Sequence, residues 1–267
     1  MLIGGGLGYR LLKWIHPKNR VSKSMVEEYA SPREKINVMY GESVFDRILG
    51  KTVIDFGSGE GGVTIELARS GAQKVIGLEI QERSRDLSMQ RAREAGVAEI
   101  CEFAATTKEK ADIVLSLDAF EHFDDPADIL AKMANVVKDD GEIWISFSWS
   151  WYHPYGGHLF SVFPWSHLLF TENSLIRWRS EIKDDGATCF REVAGGLNQI
   201  TIKRFQQFVE DSPFEFSEFM LTPIRPLRWL HNRLTREFTT SLIHARLKPK
   251  VVSQRPSCAK SGEYASA

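Results

Sequence analysis

The sequence predicts an α/β protein built around a doubly wound, mostly parallel sheet. Three observations lead there. An apolar run over 52–56 breaks into Gly57-Ser58-Gly59-Glu60-Gly61-Gly62. A second apolar run over 74–79 closes on an acid, Glu79, and strand-like and helix-like patterns then alternate as far as Ser148. Strand, helix, strand, helix, strand in that order requires right-handed crossovers, which make the neighbouring strands parallel.

Each element follows from local signals. Residues 20–48 carry helical spacing in Met25, Tyr29, Ile36, Met39, Phe45 and Ile48, interrupted at Ser31-Pro32. The first strand, 52–56, leads into a helix over 61–70 ended by Gly71; strand 74–79 leads into a helix over 82–95 ended by Gly96. Strands 99–104 and 111–117 follow, with only Thr106 to Lys110 between them, too few residues for a crossover helix. A helix over 126–138 is announced by Asp125 as N-cap and Pro126 at N1, with Gly141 expected past its end, and strand 142–148 comes next. Beyond Ser148 aromatics, glycines and histidines crowd together without a period of 2 or 3.6, the texture of a loop lining a site. Helical patterns return at 171–181 and 201–211. Two strands, Phe214 to Leu221 and Phe238 to Leu247, are expected around a helix over 223–235, and the polar tail from residue 250 is expected to be disordered.

The bulk figures exclude several classes. The 267 residues with 43% hydrophobic content suffice for a full core, and 34 Lys and Arg against 35 Asp and Glu leave no general basic footprint for nucleic acid. Three cysteines without CxxC spacing suggest neither a disulfide framework nor a zinc site. The apolar N-terminus is too short to span a bilayer and lacks signal-peptide order, so a cytoplasmic protein is expected, with Leu11-Leu12-Lys13-Trp14-Ile15 as a segment able to lie on a membrane surface.

The glycine turn points to a nucleotide ligand, because main chain must bend sharply and approach the ligand where a Cβ would obstruct it. Gly57-x-Gly59-x-x-Gly62 also satisfies the dinucleotide fingerprint. Charge separates the possibilities: a pyrophosphate at the helix N-terminus would be repelled by Asp55, two residues before Gly57, and by Glu60 inside the loop. Carboxylates there suit a cationic ligand such as S-adenosylmethionine, with Glu79 accepting from ribose hydroxyls.

With Ile54-Asp55-Phe56-Gly57-Ser58-Gly59-Glu60-Gly61 the chain resembles the class I S-adenosylmethionine-dependent methyltransferases of the small-molecule type, methyltransferase type 11-like. The resemblance implies a Rossmann-like, seven-stranded sheet with an antiparallel last strand. It also implies a helical cap over 1–50, a methyltransferase domain over 51–249 with an insertion at about 149–200 lining the substrate site, and a tail over 250–267. The implied cofactor contacts are Asp55, Phe56, Gly57, Ser58, Gly59, Gly61, Glu79, Ile80, Ala105, Thr106, Leu117 and Asp118. Asp118, in Leu117-Asp118-Ala119-Phe120-Glu121-His122, is placed near the methionine portion; where an acid usually reads adenine, this chain has Ala104-Ala105-Thr106.

Methyl transfer from a sulfonium is an in-line displacement that needs alignment and removal of a proton. Histidine titrates near neutrality, so His158 is the first candidate base, His153 the second, and His122, a position that such proteins hold structurally, the third. His153, His158 and His167 lack a carboxylate or cysteine at ligand spacing, and no metal is expected. The acceptor is read as a small molecule, methylated on oxygen or, less readily, on nitrogen or carbon. The Asp/Asn-Pro-Pro-Tyr/Phe of amine-methylating nucleic-acid enzymes is absent from the end of the fourth strand, and no cysteine stands in a Pro-Cys setting. Rival readings are an NAD(P)-dependent oxidoreductase, which lacks a Tyr-x-x-x-Lys pair here, and an inactive nucleotide-binding module of the same fold. The basic run Arg225-Pro226-Leu227-Arg228-Trp229 with Arg233 and Arg236 is read as a solvated helix face. Nothing in the sequence speaks to oligomeric state.

Overall fold

A computed structural model describes residues 2–15, 31–183, 186–192 and 196–250; the helical spacing at Met25 and Tyr29 and the tail beyond residue 250 lie outside the described residues. Seven strands, β1 (Thr52–Phe56), β2 (Lys74–Leu78), β3 (Cys101–Ala104), β4 (Ala111–Leu117), β5 (Val137–Ser148), β6 (Phe214–Pro223) and β7 (Thr240–Pro249), form one sheet in the order β3-β2-β1-β4-β5-β7-β6. Neighbours from β3 through β5 are parallel, and β7 runs antiparallel to both β5 and β6. The helices are α1 (Gly5–Ile15), α2 (Pro32–Tyr40), α3 (Val44–Arg47), α4 (Gly62–Arg69), α5 (Glu82–Glu94), α6 (Pro126–Val136), α7 (Ser166–Leu169), α8 (Glu172–Arg179), α9 (Ile202–Asp211) and α10 (Arg236–Thr239).

The central strands are covered on both faces, so their sequences read as continuous apolar runs instead of alternating ones. Ile54, Ile76, Val114 and Ile145 point to one layer, packed with Phe120, Leu130, Met133, Phe205 and Val209 from the α6 and α9 side. Val53, Val75, Ile113, Leu115 and Trp144 point to the other, against α2, α3 and α4 through Ile36, Met39, Phe45 and Leu67. A third cluster holds α1 to the segment after β5, through Leu12, Phe160, Phe170, Leu175 and Trp178. There Ile3 exchanges main-chain hydrogen bonds with Leu169 O (2.7 Å) and Thr171 N (3.0 Å). Trp14 and Leu7 of α1 stay exposed.

Most expected elements are present, and three boundaries differ for local reasons. The helix after Asp125 is capped as its sequence indicates, the Asp125 carboxylate accepting from Ala127 N at 3.0 Å. It stops at Val136, however, and Gly141 lies inside β5, where a Cβ would meet Asp112 O at 2.9 Å. This glycine serves close packing beside an irregular register of the β4–β5 pair, and the helix ends without it. Between β6 and β7 no helix over 223–235 forms; a 3-10 turn, Arg225–Leu230, and the short α10 take its place, and β7 starts at Thr240. The turn has Pro226 near its start, which withholds one backbone donor. The link from β3 to β4 contains no helix, as its length requires.

This topology sets the site. Strand order reverses between β1 and β4, so the connections leaving β1 and β4 diverge and open a crevice at the carboxyl ends of the strands. Phe205 anchors the wall beneath it, fully buried with its ring edge-on to Phe147 (5.2 Å) and Phe120 (5.3 Å). Phe205→Ala is expected to cost about 3–5 kcal/mol, read by urea unfolding; a loss within the error of the measurement would show that α9 does not fasten this layer.

Candidate active site

The glycine turn is held by backbone geometry and by one carboxylate. Gly57, Gly59 and Gly61 all have positive φ, at 84°, 54° and 77°. At Gly57 a Cβ would lie 2.9 Å from that of Ala119, and at Gly61 2.7 Å from that of Ser88, so both positions are closed to larger residues. Glu79, just past β2, accepts from Gly59 N at 3.1 Å and from Gln81 N at 2.9 Å. One acid thereby ties the turn after β1 to the turn after β2.

A cavity of about 700 Å³ opens at this point, lined among others by Phe56, Gly57, Glu79, Ile80, Ala105, Thr106, Asp118 and His122. Eight of the residues expected from sequence are thus gathered in one crevice. Ile80, 85% exposed, presents a bare apolar side chain at its rim. Asp118 follows β4 with φ 51°, accepts from Ser148 N at 3.2 Å and pairs with Lys35 Nζ at 3.3 Å. Lys35, on α2, carried no sequence signal for this role.

Asp55, Ser58, Gly59, Gly61 and Leu117 are not among the residues that line the cavity. Asp55 is 2% exposed and accepts from Thr64 Oγ1 at 2.7 Å. Burial raises its pKa from 3.8 to about 6, against the lowering effect of Thr64 and Lys35. Glu60 turns outward to Arg91, 2.6 Å away on α5. The acids flanking the glycines therefore act differently from the sequence reading: Asp55 fastens β1 to α4 and adds negative charge from beneath, and Glu60 fastens the loop to α5. Burial, with Asp55 and Asp118 nearby, also raises the Tyr40 pKa well above its usual value.

His122 lines the crevice, with His158 and the buried Glu121 beside it. His122 donates from Nδ1 to Gly196 O (2.9 Å) and His158 from Nδ1 to Gly156 O (3.2 Å), so in the neutral His158 ring the lone pair is on Nε2. Their rings are 5.2 Å apart. His153 stacks on Trp149 and accepts from Tyr155 N at 3.0 Å, which commits its one lone pair and leaves it no capacity as a base. His167 is bonded to Ser161 Oγ and Trp151 O. Burial lowers the pKa of His153 to about 3 and, with the charge of His122, that of His158 to about 4; titration near neutrality does not hold for either. His167 is also lowered by burial.

Glu121 was not singled out from sequence. It is 4% exposed, its Oε2 has no hydrogen-bond partner, and its Oε1 lies 3.9 Å from His122 Nε2. Burial and the nearby Asp118 raise its pKa well above the carboxylate range. The His153, His158 and His167 set does not assemble, but Glu121, His122 and His158 each offer one ligand atom within 4.8 Å of one another, a set with the composition to hold a divalent cation or to relay a proton.

A seven-stranded sheet of this order, with a glycine turn after β1 and an acid after β2, defines the Rossmann-like fold of S-adenosylmethionine-dependent methyltransferases. Residues 54–145 match the family model described as methyltransferase domain. It is 35% identical over 104 residues to a ubiquinone biosynthesis O-methyltransferase of Neisseria meningitidis serogroup C, covering 36% of this chain and 44% of that protein. It is 30% identical over 128 residues to the protein of the same name from Hahella chejuensis, covering 45% and 53%. The chain thus spans about half the length of the relatives it matches. Among solved structures, it superposes on mitomycin 7-O-methyltransferase with a TM-score of 0.53 at 15% identity (82% of this chain, 53% of that one). It superposes on the YcgJ protein of Bacillus subtilis with 0.50 at 15% identity (78% and 97%). Both likenesses concern the fold.

Asp55 yields a pH-dependent prediction. Its folded pKa lies above its ordinary 3.8, so ionisation opposes folding; the penalty is absent below 3.8 and complete above about 6. Asp55→Asn keeps an acceptor for Thr64 and is expected to gain about 2–3 kcal/mol at pH 8 and nothing at pH 3.5, measured by thermal unfolding at both pH values. Equal gains at the two pH values would show that desolvation of the charge is not the cause.

Proposed function

We propose that this protein transfers the methyl group of S-adenosylmethionine to an oxygen of a small-molecule acceptor. The observation that carries the reading is Glu79, placed at the carboxyl end of β2 with both oxygens facing main-chain N–H groups of the glycine turn and the next helix, on the wall of a cavity of nucleoside size. In the proposed pose the ribose hydroxyls donate to Glu79, the purine lies along Ile80 and Thr106, and the methionine end reaches Asp118. The cofactor ammonium competes with Lys35 for Asp118, which frees the lysine to meet the cofactor carboxylate. The oxygen acceptor is supported by the O-methyltransferase names of the relatives. The carboxylates Glu79 and Asp118 on the cavity wall favour a cationic sulfonium over a dinucleotide, and the matching domain gives no support to the oxidoreductase alternative.

His158 is the proposed proton acceptor, its Nε2 lone pair unoccupied and its ring set among Trp149 and His122. Its low pKa keeps it unprotonated across the physiological range, at the expense of basicity.

Calorimetry with S-adenosylhomocysteine is expected to show binding that Glu79→Ala weakens by about 1–3 kcal/mol; no heat from correctly folded wild type would remove the reading. With a catechol or other phenolic acceptor panel, His158→Ala is expected to lower turnover by about 100-fold and leave cofactor affinity unchanged. Wild-type turnover is expected to stay level from pH 8 to 6 and to fall only as pH approaches 4, where His158 gains its proton. A decline centred near pH 6.5 would assign the proton to another group.

A further inference from the structure

We propose that the connection from β6 to β7, residues 224–239, is a docking surface for an anionic lipid bilayer. Four large apolar side chains stand out of it: Leu234 is 89% exposed, Trp229 81%, Phe238 42% and Leu230 37%. They are held outward by a structured loop. Asn232 Oδ1 accepts from Leu234 N at 2.8 Å, Thr235 Oγ1 donates to Leu230 O, and His231 Nδ1 meets Thr239 Oγ1 at 2.9 Å. Elsewhere the large apolar side chains are mostly gathered into the three buried clusters, so this exposed group is not a shortage of core.

Charge selects the partner. Arg225, Arg228 and Arg233 are exposed, and none has a carboxylate partner among the described residues. Residues 224–236 contain no acid, and the first one after them, Glu237, is occupied by Ile202 N at 3.0 Å and Lys203 N at 2.8 Å. The surface is a cationic rim around an apolar centre with an indole, the pattern that meets headgroup phosphates and acyl chains together. A nucleic acid would satisfy the arginines and leave Leu234 in water.

The surface adjoins the proposed acceptor side. Phe238 packs on Tyr152 with ring centroids 5.0 Å apart, and Trp149 N donates to Ser241 O at 3.3 Å, so it continues into the aromatic segment that carries His153 and His158. The inference does not depend on the methyl-transfer reading, because docking is measured with neither cofactor nor acceptor.

The test is co-sedimentation of the full chain with phosphatidylcholine vesicles containing about one-third phosphatidylglycerol, where each arginine is expected to contribute about fivefold to partitioning. Wild type is expected to sediment with these vesicles, to be released by high salt, and not to sediment with phosphatidylcholine alone. R225S/R228S/R233S is expected to lose about 100-fold in partitioning, and W229S/L234S to bind weakly even at low salt, both with wild-type melting temperatures since every changed side chain is exposed. The proposal is overturned if wild type stays in the supernatant, if the arginine variant partitions like wild type, or if binding is abolished by W14S on α1 and untouched by W229S/L234S. Retention of wild type on single-stranded RNA without vesicle binding would likewise reassign the patch.

Discussion

Two turns that leave adjacent parallel strands have unpaired main-chain donors, and in this molecule a single carboxylate satisfies one from each. Glu79 bonds Gly59 N and Gln81 N, and this arrangement keeps the glycine turn open and its φ values positive. The rest of the crevice is built around that bridge. Gly57 leaves room for Ala119 and Phe123, Gly61 leaves room for Ser88, and Asp55 fastens the strand below to α4 through Thr64. A buried, partly desolvated acid is a stability cost, and it is placed where it lends negative charge to the cavity floor; binding capacity and folding stability are in tension at the same residue.

The second constraint comes from the segment after β5. It forms its own apolar cluster with α1, and the imidazoles of His153 and His158 are desolvated beside Trp149. Both imidazoles are neutral down to about pH 4.

The sheet and the cofactor side were legible because each is encoded locally. Gly57-x-Gly59-x-Gly61 and an acid at the tip of the next apolar run specify a turn and its partner within 25 residues, and continuous apolar runs specify strands covered on both faces. What escaped depends on contacts distant in sequence. Asp55 reads as a ligand-facing acid until Thr64 is seen to hold it, and Lys35 meets Asp118 across 83 positions with no motif at either end. Glu121 was visible as an acid between Phe120 and His122, and its burial shows only in the fold. Gly141 reads as a helix stop because its actual neighbour, Asp112 O, belongs to another strand. The residues between β6 and β7 have helical composition, yet no apolar stripe is drawn against the sheet, and the chain takes short turns there.

The missing crossover helix between β3 and β4 has a consequence for traffic through the proposed site. Beside that bare connection, the exposed Ile80 and Thr106 leave their end of the crevice facing water. In the proposed pose the purine lies at that open end, so a spent nucleoside has a base-first way out and its replacement the same way in.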